Sequence, residues 1–420
     1  MSPPQLAGTR VLVVGLARSG KAAVDVLIAQ GARVVAFDRD DSVDAGRLRE
    51  LGVEVHLGRE EEKVLQGIEL VLKSPGVPGE TPLVAGARER GIPVWSEIEL
   101  GAQVLSNPIL GVTGTNGKTT TSELLGEVFR AADRPVEVAG NIGRPLTSLV
   151  GAVRPETWIV CELSSFQLED VETFTPRIGV LLNLEPDHLD RHGSFNAYAV
   201  AKMRMFERQS ARDTAVVPRG FSSVPGAARR VEFGGDDALP AEPIIPGPHN
   251  RENAAAATTA ARAAGIADDA IAEALRTFAG VAHRIELVRE LRGVRYVNDS
   301  KATNVAATLR ALASFPGSPL HVILGGRGKV EPYGPLSAAL GPDDDAYLIG
   351  ETAAEIGAAL DATGIRTTAS GDLGSALAAA SANARSGDVV LLSPACASFD
   401  QFENFEARGD EFRRLVEELA

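Results

Sequence analysis

Cysteine is nearly absent from this 420-residue chain, which has two, Cys161 and Cys396. Two are too few for a disulfide framework or a cysteine-based zinc site, and they suit a reducing compartment. Long apolar runs are missing as well. No stretch approaches the ~18 apolar residues of a membrane span, and the opening MSPPQLAGTR has no apolar signal core. Positive charge is in deficit: 42 Lys and Arg against 56 Asp and Glu leave a net charge of −14. That balance argues against general binding to nucleic acid or to an anionic membrane. Internal repeats, low-complexity tracts and heptad seams are also lacking. The expectation is a soluble cytoplasmic protein with small-molecule partners. Its length and its composition, 44% hydrophobic and 23% charged, suggest about two to four globular domains. A chain this acidic can handle phosphates only through local basic residues and metal.

What is present centres on residues 108–121, PILGVTGTNGKTTT. An apolar run ends in a glycine-rich loop, and a Lys and a row of Thr then open a segment of helix formers. The order is strand, phosphate loop, helix. Backbone N–H groups across Gly114, Thr115, Asn116 and Gly117 can turn inward on a polyphosphate, aided by the partial positive charge of the helix N-terminus. Lys118 would reach the β- and γ-phosphates, and the Thr119 hydroxyl, with Thr120 beside it, would face Mg²⁺. A strict G-x-x-x-x-G-K-[ST] needs glycine at 112, where this chain has Val112. An ordinary glycine-rich turn leaves GKT between strand and helix unexplained, so the stretch is read as an ATP site.

Residues 10–40 read as strand, turn, helix, strand, with Gly15, Ala17 and Gly20 in the places of a G-x-G-x-x-G fingerprint and Asp38 ending the second strand. Alone, this suits a dinucleotide-binding Rossmann unit, another nucleotide site, or glycines that only pack a helix on a strand. Arg18 and Ser19 could hold a diphosphate, and Asp38 could accept from a ribose or base. A third strand, ELVLKSPGVP, brings Ser74 to the same sheet edge, and this small α/β unit closes near Trp95.

The alternation continues. RPVEVAGNIGRP is a strand ending in a loop at Asn141, and TWIVCELSSFQLED is a strand delivering Glu162. An acid on the strand beside a phosphate-loop strand is the Walker-B arrangement for Mg²⁺. The loop NLEPDHLDRHGSF carries Asn183, Asp187, His188 and Asp190, and a His among carboxylates there is either a metal ligand, an orienter or a plain loop residue. In the next helix Lys202 can snorkel to solvent, although helical spacing sets it on one face with Tyr198, Met205 and Phe206. Residues 235–250 form a proline-rich loop leading into an Ala-rich helix, with Asn250 expected as its N-cap and Asn253 in its first turn, free to bond an adenine edge. AHR follows, with Arg284 a phosphate-clamp candidate. The last 135 or so residues form a third α/β alternation with polar clusters NDSKATN, GGRGK and SPACASFDQF at strand ends, where open sheets bind ligands.

VTGTNGKTT, CELSSFQLE, NLEPDHLD, GPHNRENAAAA, HR, NDSKATN and SPACASFDQFENFEARGDEF occur in the order seen in the Mur ligase family of peptidoglycan synthesis. CELSSFQLE, NDSKATN and SPACASFDQF resemble its D-glutamate-adding branch. The resemblance implies an α/β protein of three domains: residues 1–96, a Rossmann-like UDP-binding domain; 97–284, a central ATP-binding phosphate-loop domain; and 285–420, a Rossmann-like domain that binds the amino acid and closes on the others. It implies ATP-dependent amide synthesis between UDP-N-acetylmuramoyl-L-alanine and D-glutamate through an acyl phosphate, by a monomer. Carried over by position, the UDP-sugar falls on Arg18, Ser19, Asp38, Arg39, Ser74, Asn141 and His188. The nucleotide falls on the phosphate loop with Lys118, Thr119 and Thr120, and on Asn250, Asn253, Arg284 and Asp299. Two Mg²⁺ ions fall on Thr119, Glu162, His188 and a carbamylated Lys202, and D-glutamate on Thr303, Lys329, Ser398, Phe399 and Phe405. Lys118, Glu162, His188, Lys202 and Arg284 are thus the expected catalytic set. Arg18 and Arg39 are not typical of the family's UDP loops, and Arg327 stands where similar enzymes commonly have Asp.

Overall fold

The computed structural model describes residues 6–245, 247–328, 332–361 and 364–420, the side chain of Asp190 excepted. Three sheets follow one another along the chain. The first contains β1 (Arg10–Val14), β2 (Arg33–Asp38), β3 (Glu54–Leu57), β4 (Leu70–Lys73) and β5 (Val94–Ser96). They run parallel in the order β3-β2-β1-β4-β5. The second contains β6 (Ile109–Thr113), β7 (Val136–Gly140), β8 (Trp158–Glu162), β9 (Ile178–Leu181), β10 (Thr214–Pro218) and β11 (Arg229–Phe233). Its order is β11-β10-β9-β6-β8-β7, again parallel. The third contains β12 (Glu286–Leu291), β13 (Val294–Asn298), β14 (Leu320–Gly325), β15 (Asp345–Ile349), β16 (Arg366–Gly371) and β17 (Val389–Leu392), in the order β12-β13-β17-β14-β15-β16. The three-sheet α/β architecture expected from the alternation is what forms.

The strands read as unbroken apolar runs because helices cover both faces of each sheet, so no alternating polar face is needed. ILGVT of β6 and WIVCE of β8 are buried at every position. Strand β12 departs from the rule and lies antiparallel to β13. Arg292 and Gly293 join the two with positive φ at both positions, as a tight hairpin turn requires. Glu286–Leu291 is an edge strand with a half-exposed, mixed-polarity pattern, which is why it was not visible among the apolar runs. The short edge strands β3, β5 and β11, and β10 inside β11, are likewise additions to the strands legible in the sequence.

The chain divides between Phe278 and Ala279 into two compact units. In the first, the core under β1 and β2 also takes in Leu100, and Val104 and Val150 pack against it, so the N-terminal sheet shares apolar packing with residues beyond Ser96. The second unit has its own cores on the two faces of its sheet, built around residues such as Val322 and Leu391 on one face and Ile323 and Leu392 on the other.

Candidate active site

The phosphate loop forms as the sequence requires. β6 ends at Thr113, helix Lys118–Ala131 starts four residues later, and Gly117 is its N-cap in the left-handed region. A Cβ on Gly117 would collide with the Asn253 side chain, which the helix Pro248–Ala263 therefore presses directly onto the loop. That contact joins two residues 136 positions apart that pattern had assigned to one nucleotide. Asn250 does not cap this helix. Gly247 holds the N-cap position and Asn250 lies within the first turn, because Pro248, which lacks an N–H, is favoured as the first helical residue. Asn253 sits beyond that first turn and donates to Asn250 Oδ1 at 3.3 Å.

The loop is held from the far side of β9. The N–H groups of Thr115 and Asn116 donate to Asn183 Oδ1 at 3.1 and 2.8 Å. Thr115 Oγ1 lies 2.9 Å from the Tyr198 hydroxyl. Lys118 Nζ donates to the carbonyls of Gly114 and Thr115 at 2.9 and 2.8 Å. Thr119 is buried behind it.

Glu162 ends β8 opposite Val112 of β6, beside the start of the loop, and is buried. Its Oε1 accepts from Asn141 Nδ2 at 2.8 Å, whereas Oε2 is buried without a hydrogen-bond partner. A buried carboxylate oxygen left unpaired is costly unless a cation completes it, so the site fits Mg²⁺ held through Glu162 and Thr119. Among the described residues no three His, Cys, Asp or Glu side chains cluster tightly enough to hold a metal alone.

Lys202 faces inward and is 1% exposed, with Tyr198, Met205 and Phe206 buried on the same helix. The solvent-snorkelling reading is excluded. Its Nζ donates to Gly114 O at 2.8 Å and lies 4.7 Å from the centre of the Tyr198 ring. Burial, and after it the charge of Lys118, lower its pKa to about 7, against the opposing pull of Asp187 and Glu162. His188 has positive φ, is half exposed, and packs 4.8 Å from the Phe166 ring.

Beside the first sheet lies a cavity of about 570 Å³ whose walls include Arg18, Ser19, Asp38, Arg39, Ser74 and Asn141. The fold thus brings all of the expected UDP residues but His188 to one place. Asp38 Oδ2 accepts from the Leu16 N–H at 2.5 Å and Oδ1 from the Asp40 N–H at 2.9 Å, so the carboxylate also braces the turn. Ser74 Oγ donates to Gly15 O at 2.8 Å, and Arg18 reaches Gly143 O at 3.0 Å. Gly20 is required by packing, since a Cβ there would collide with the Gly15 carbonyl.

In the second unit, Asp299 is buried, accepting from Ser393 Oγ at 2.7 Å and from the Ile285 N–H at 3.1 Å. Burial pushes its pKa up to about 7, against those hydrogen bonds and the charge of Arg284. Ser398 is buried with an unpartnered Oγ, Thr303 is partly buried, and Phe399 is 62% exposed. Phe405 opens the last helix, its ring edge-on to His283 with centroids 6.3 Å apart. Lys329 lies outside the described residues. Arg327 is half exposed and its Nε is 3.5 Å from Glu351 Oε2. Sequence reasoning missed Arg408. Only 1% exposed, it donates to Ser300 Oγ, Ser300 O and Cys396 O and keeps a buried, unpaired Nη1. In ENFEARGDEF it looks like any solvated helix charge, and only the packing of that helix on the sheet buries it.

Three family models match in chain order: Mur ligase MurD-like, N-terminal domain, over residues 9–96; Mur ligase middle domain over 112–229; and Mur ligase, glutamate ligase domain, over 283–396. The chain is 44% identical to the UDP-N-acetylmuramoylalanine--D-glutamate ligase of Anaeromyxobacter dehalogenans, over 100% of both chains. It is 40% identical to that of Geobacillus kaustophilus over 98% of each. Among solved structures, the MurF ligase of Thermotoga maritima in complex with ADP shares the fold at a TM-score of 0.58 and 20% identity, covering 99% of this chain and 97% of that one. The UDP-N-acetylmuramate-alanine ligase MurC of Thermotoga maritima does so at 0.56 and 19%, covering 97% and 99%.

Proposed function

This chain belongs to the Mur ligase family, and we propose that it joins D-glutamate to UDP-N-acetylmuramoyl-L-alanine at the expense of ATP, in cytoplasmic peptidoglycan precursor synthesis. The observation that carries this is identity of 40–44% over 98–100% of the chain to ligases of that name, with seven motifs in family order from the phosphate loop to the last helix. The roles proposed for the residues are these. The cavity beside the first sheet takes the UDP-sugar through Arg18, Ser19, Asp38, Arg39, Ser74 and Asn141. The loop Gly114–Gly117 with Lys118, Thr119, Thr120, Asn250 and Asn253 takes the nucleotide, to which Arg284 and Asp299 contribute. D-glutamate is taken by Thr303, Lys329, Ser398, Phe399 and Phe405. The domain limits proposed with these roles are 1–96, 97–284 and 285–420, acting as a monomer.

Forming an amide from a carboxylate needs activation, because a carboxylate is a poor electrophile. The alanyl carboxylate attacks the γ-phosphate and releases ADP; the D-glutamate amine then attacks the acyl carbon of the acyl phosphate, and inorganic phosphate leaves. Lys118 and Arg284 neutralise charge gathering on the transferred group. Mg²⁺ would be held by Thr119 and Glu162, with a second ion at His188 and modified Lys202, and supplies Lewis-acid charge neutralisation when bound.

Lys202 is proposed to work as a carbamate. Its lowered pKa leaves much of the amine neutral near pH 7. Nζ forms a bond to the carbon of CO₂ and releases one proton, giving an anion where an ammonium would repel a metal ion. At ~4 Å and an effective dielectric of ~20, that repulsion is about 8 kcal/mol for a +1/+2 pair. Lys202→Ala should lose activity that formate or acetate partly restores; full activity of the native enzyme in CO₂-free buffer would remove the carbamate.

The test of the reaction is phosphate release with ATP, UDP-N-acetylmuramoyl-L-alanine and a panel of amino acids. D-glutamate should support turnover and both cosubstrates should be needed. Faster turnover with L-glutamate, L-alanine or meso-diaminopimelate would overturn the assignment.

A further inference from the structure

The short helix Leu189–His192 follows His188, and its third residue is spent on something the reaction does not obviously need. Arg191 is partly buried, with its side chain 14% exposed. Its Nη1 donates to Pro75 O at 3.1 Å and its Nη2 to Val77 O at 2.9 Å. The guanidinium also lies 4.0 Å from the centre of the Phe166 ring. The Glu169 carboxylate lies 3.8 Å from Nη2, and Nε is buried without a partner. A partly buried guanidinium that spends its strong hydrogen bonds on neutral carbonyls and leaves a buried N–H unpaired is a poor stabilising device. An apolar side chain of similar size would serve stability better.

The groups that Arg191 grips are the two sides of the UDP-sugar cavity. Pro75 and Val77 line it from the turn after β4, and Gln167, next in sequence to Phe166, lines it from the segment after β8. Val77 matters most. A Cβ built on Gly15 would lie 2.9 Å from Val77 Cγ2, so the side chain sits directly over the first glycine of the fingerprint. Phe166 is fixed in turn by His188 on one side and by the stacked ring of His192, with centroids 5.4 Å apart, on the other. One residue therefore ties the N-terminal wall of the cavity, the central wall and the segment carrying His188.

We infer that Arg191 is a positioning residue for the nucleotide-sugar, setting the separation of the two cavity walls and hence where the alanyl carboxylate arrives. This rests on the reading of that cavity as the UDP-sugar site. Arg191 itself does not line the cavity, so it touches no substrate. A lysine keeps the charge but cannot bond both carbonyls in a fixed fork.

The test compares the native enzyme with Arg191→Met, Arg191→Lys and Val77→Ala, recording kcat, the KM of each substrate and Tm. Arg191→Met should raise the KM for UDP-N-acetylmuramoyl-L-alanine by about tenfold or more while the KM for ATP stays within about twofold. Arg191→Lys should recover only part of that loss. Val77→Ala, which leaves the arginine in place, should shift the same KM in the same direction, and it keeps the test open should Arg191→Met fail to fold. Unchanged KM for the nucleotide-sugar in folded variants, or equal rises for both substrates alongside a lowered Tm, would overturn the inference. Failure of the native enzyme to use UDP-N-acetylmuramoyl-L-alanine at all would instead strike the underlying functional reading.

Discussion

Two lysines meet at the Gly114 carbonyl, and their different surroundings give them different work. Lys118 opens a helix and reaches back over its own loop, while Lys202 arrives from the far side, sealed from solvent. Lys118→Ala should leave the fold intact, since the Nζ bonds to Gly114 O and Thr115 O lie within the loop itself, yet lower kcat by about 10²-fold or more by removing charge stabilisation from the transferred phosphoryl group. Near-native turnover of a folded Lys118→Ala protein would refute the phosphate-loop assignment. Glu162→Gln keeps the shape and removes the charge facing the proposed metal. It should appear as a raised Mg²⁺ requirement in activity titrations, with little change in Tm. The residue types of this site were legible because GKT and a strand-end acid have fixed meanings. The inward direction of Lys202 was legible only as one of two readings, since helical spacing names a face without saying what covers it.

At the scale of elements, the helix Glu97–Val104 and its surroundings join the first two sheets with buried carboxylates. Glu99 accepts from the backbone N–H groups of Glu172, Thr173 and Phe174 and is well satisfied. Glu97 accepts from Thr147 N–H and Oγ through one oxygen, and the other oxygen is buried without a partner. Burial pushes the Glu97 pKa up from 4.5 to about 7, against the Thr147 hydrogen bonds. The folded protein then keeps a proton that the unfolded chain releases between pH 4.5 and 7, so this group's contribution to stability falls as pH rises through that window. The difference is roughly 3 kcal/mol. Glu97→Gln should therefore be more stable than the native protein at pH 8 relative to pH 5, by urea unfolding at both. An unchanged pH slope would show that Glu97 is ionised in the folded state. Helix starts proved harder to read than helix existence. Asn250 reads as a cap, but Pro248 two residues earlier fixes the backbone for entry and Gly247 supplies the positive φ that the chain needs there.

For the whole molecule, the distribution of cores predicts what can be separated. The second unit encloses both faces of its own sheet, so residues 279–420 expressed alone should unfold cooperatively in urea and release no phosphate from ATP. Residues 1–96 alone should be far less stable, because Leu100 belongs to their core. A cooperative 1–96 fragment with native-like stability would contradict that reading. By itself, the sequence determined the α/β class, the three sheets and the phosphate loop. Those depend on local patterns: apolar runs bounded by glycine turns, and residue types whose chemistry needs a fixed short spacing. Tertiary structure alone decided the edge strands β3, β5 and β11 and the antiparallel β12, whose mixed polarity carries no period. It also decided which polar groups are buried. Arg408 lies on sequence that reads as a solvated helix surface and Arg191 on sequence that reads as a loop, and they become structural or positioning groups only because distant segments pack against them. Burial is a property of the neighbours a residue acquires across the fold, and no local spacing records it.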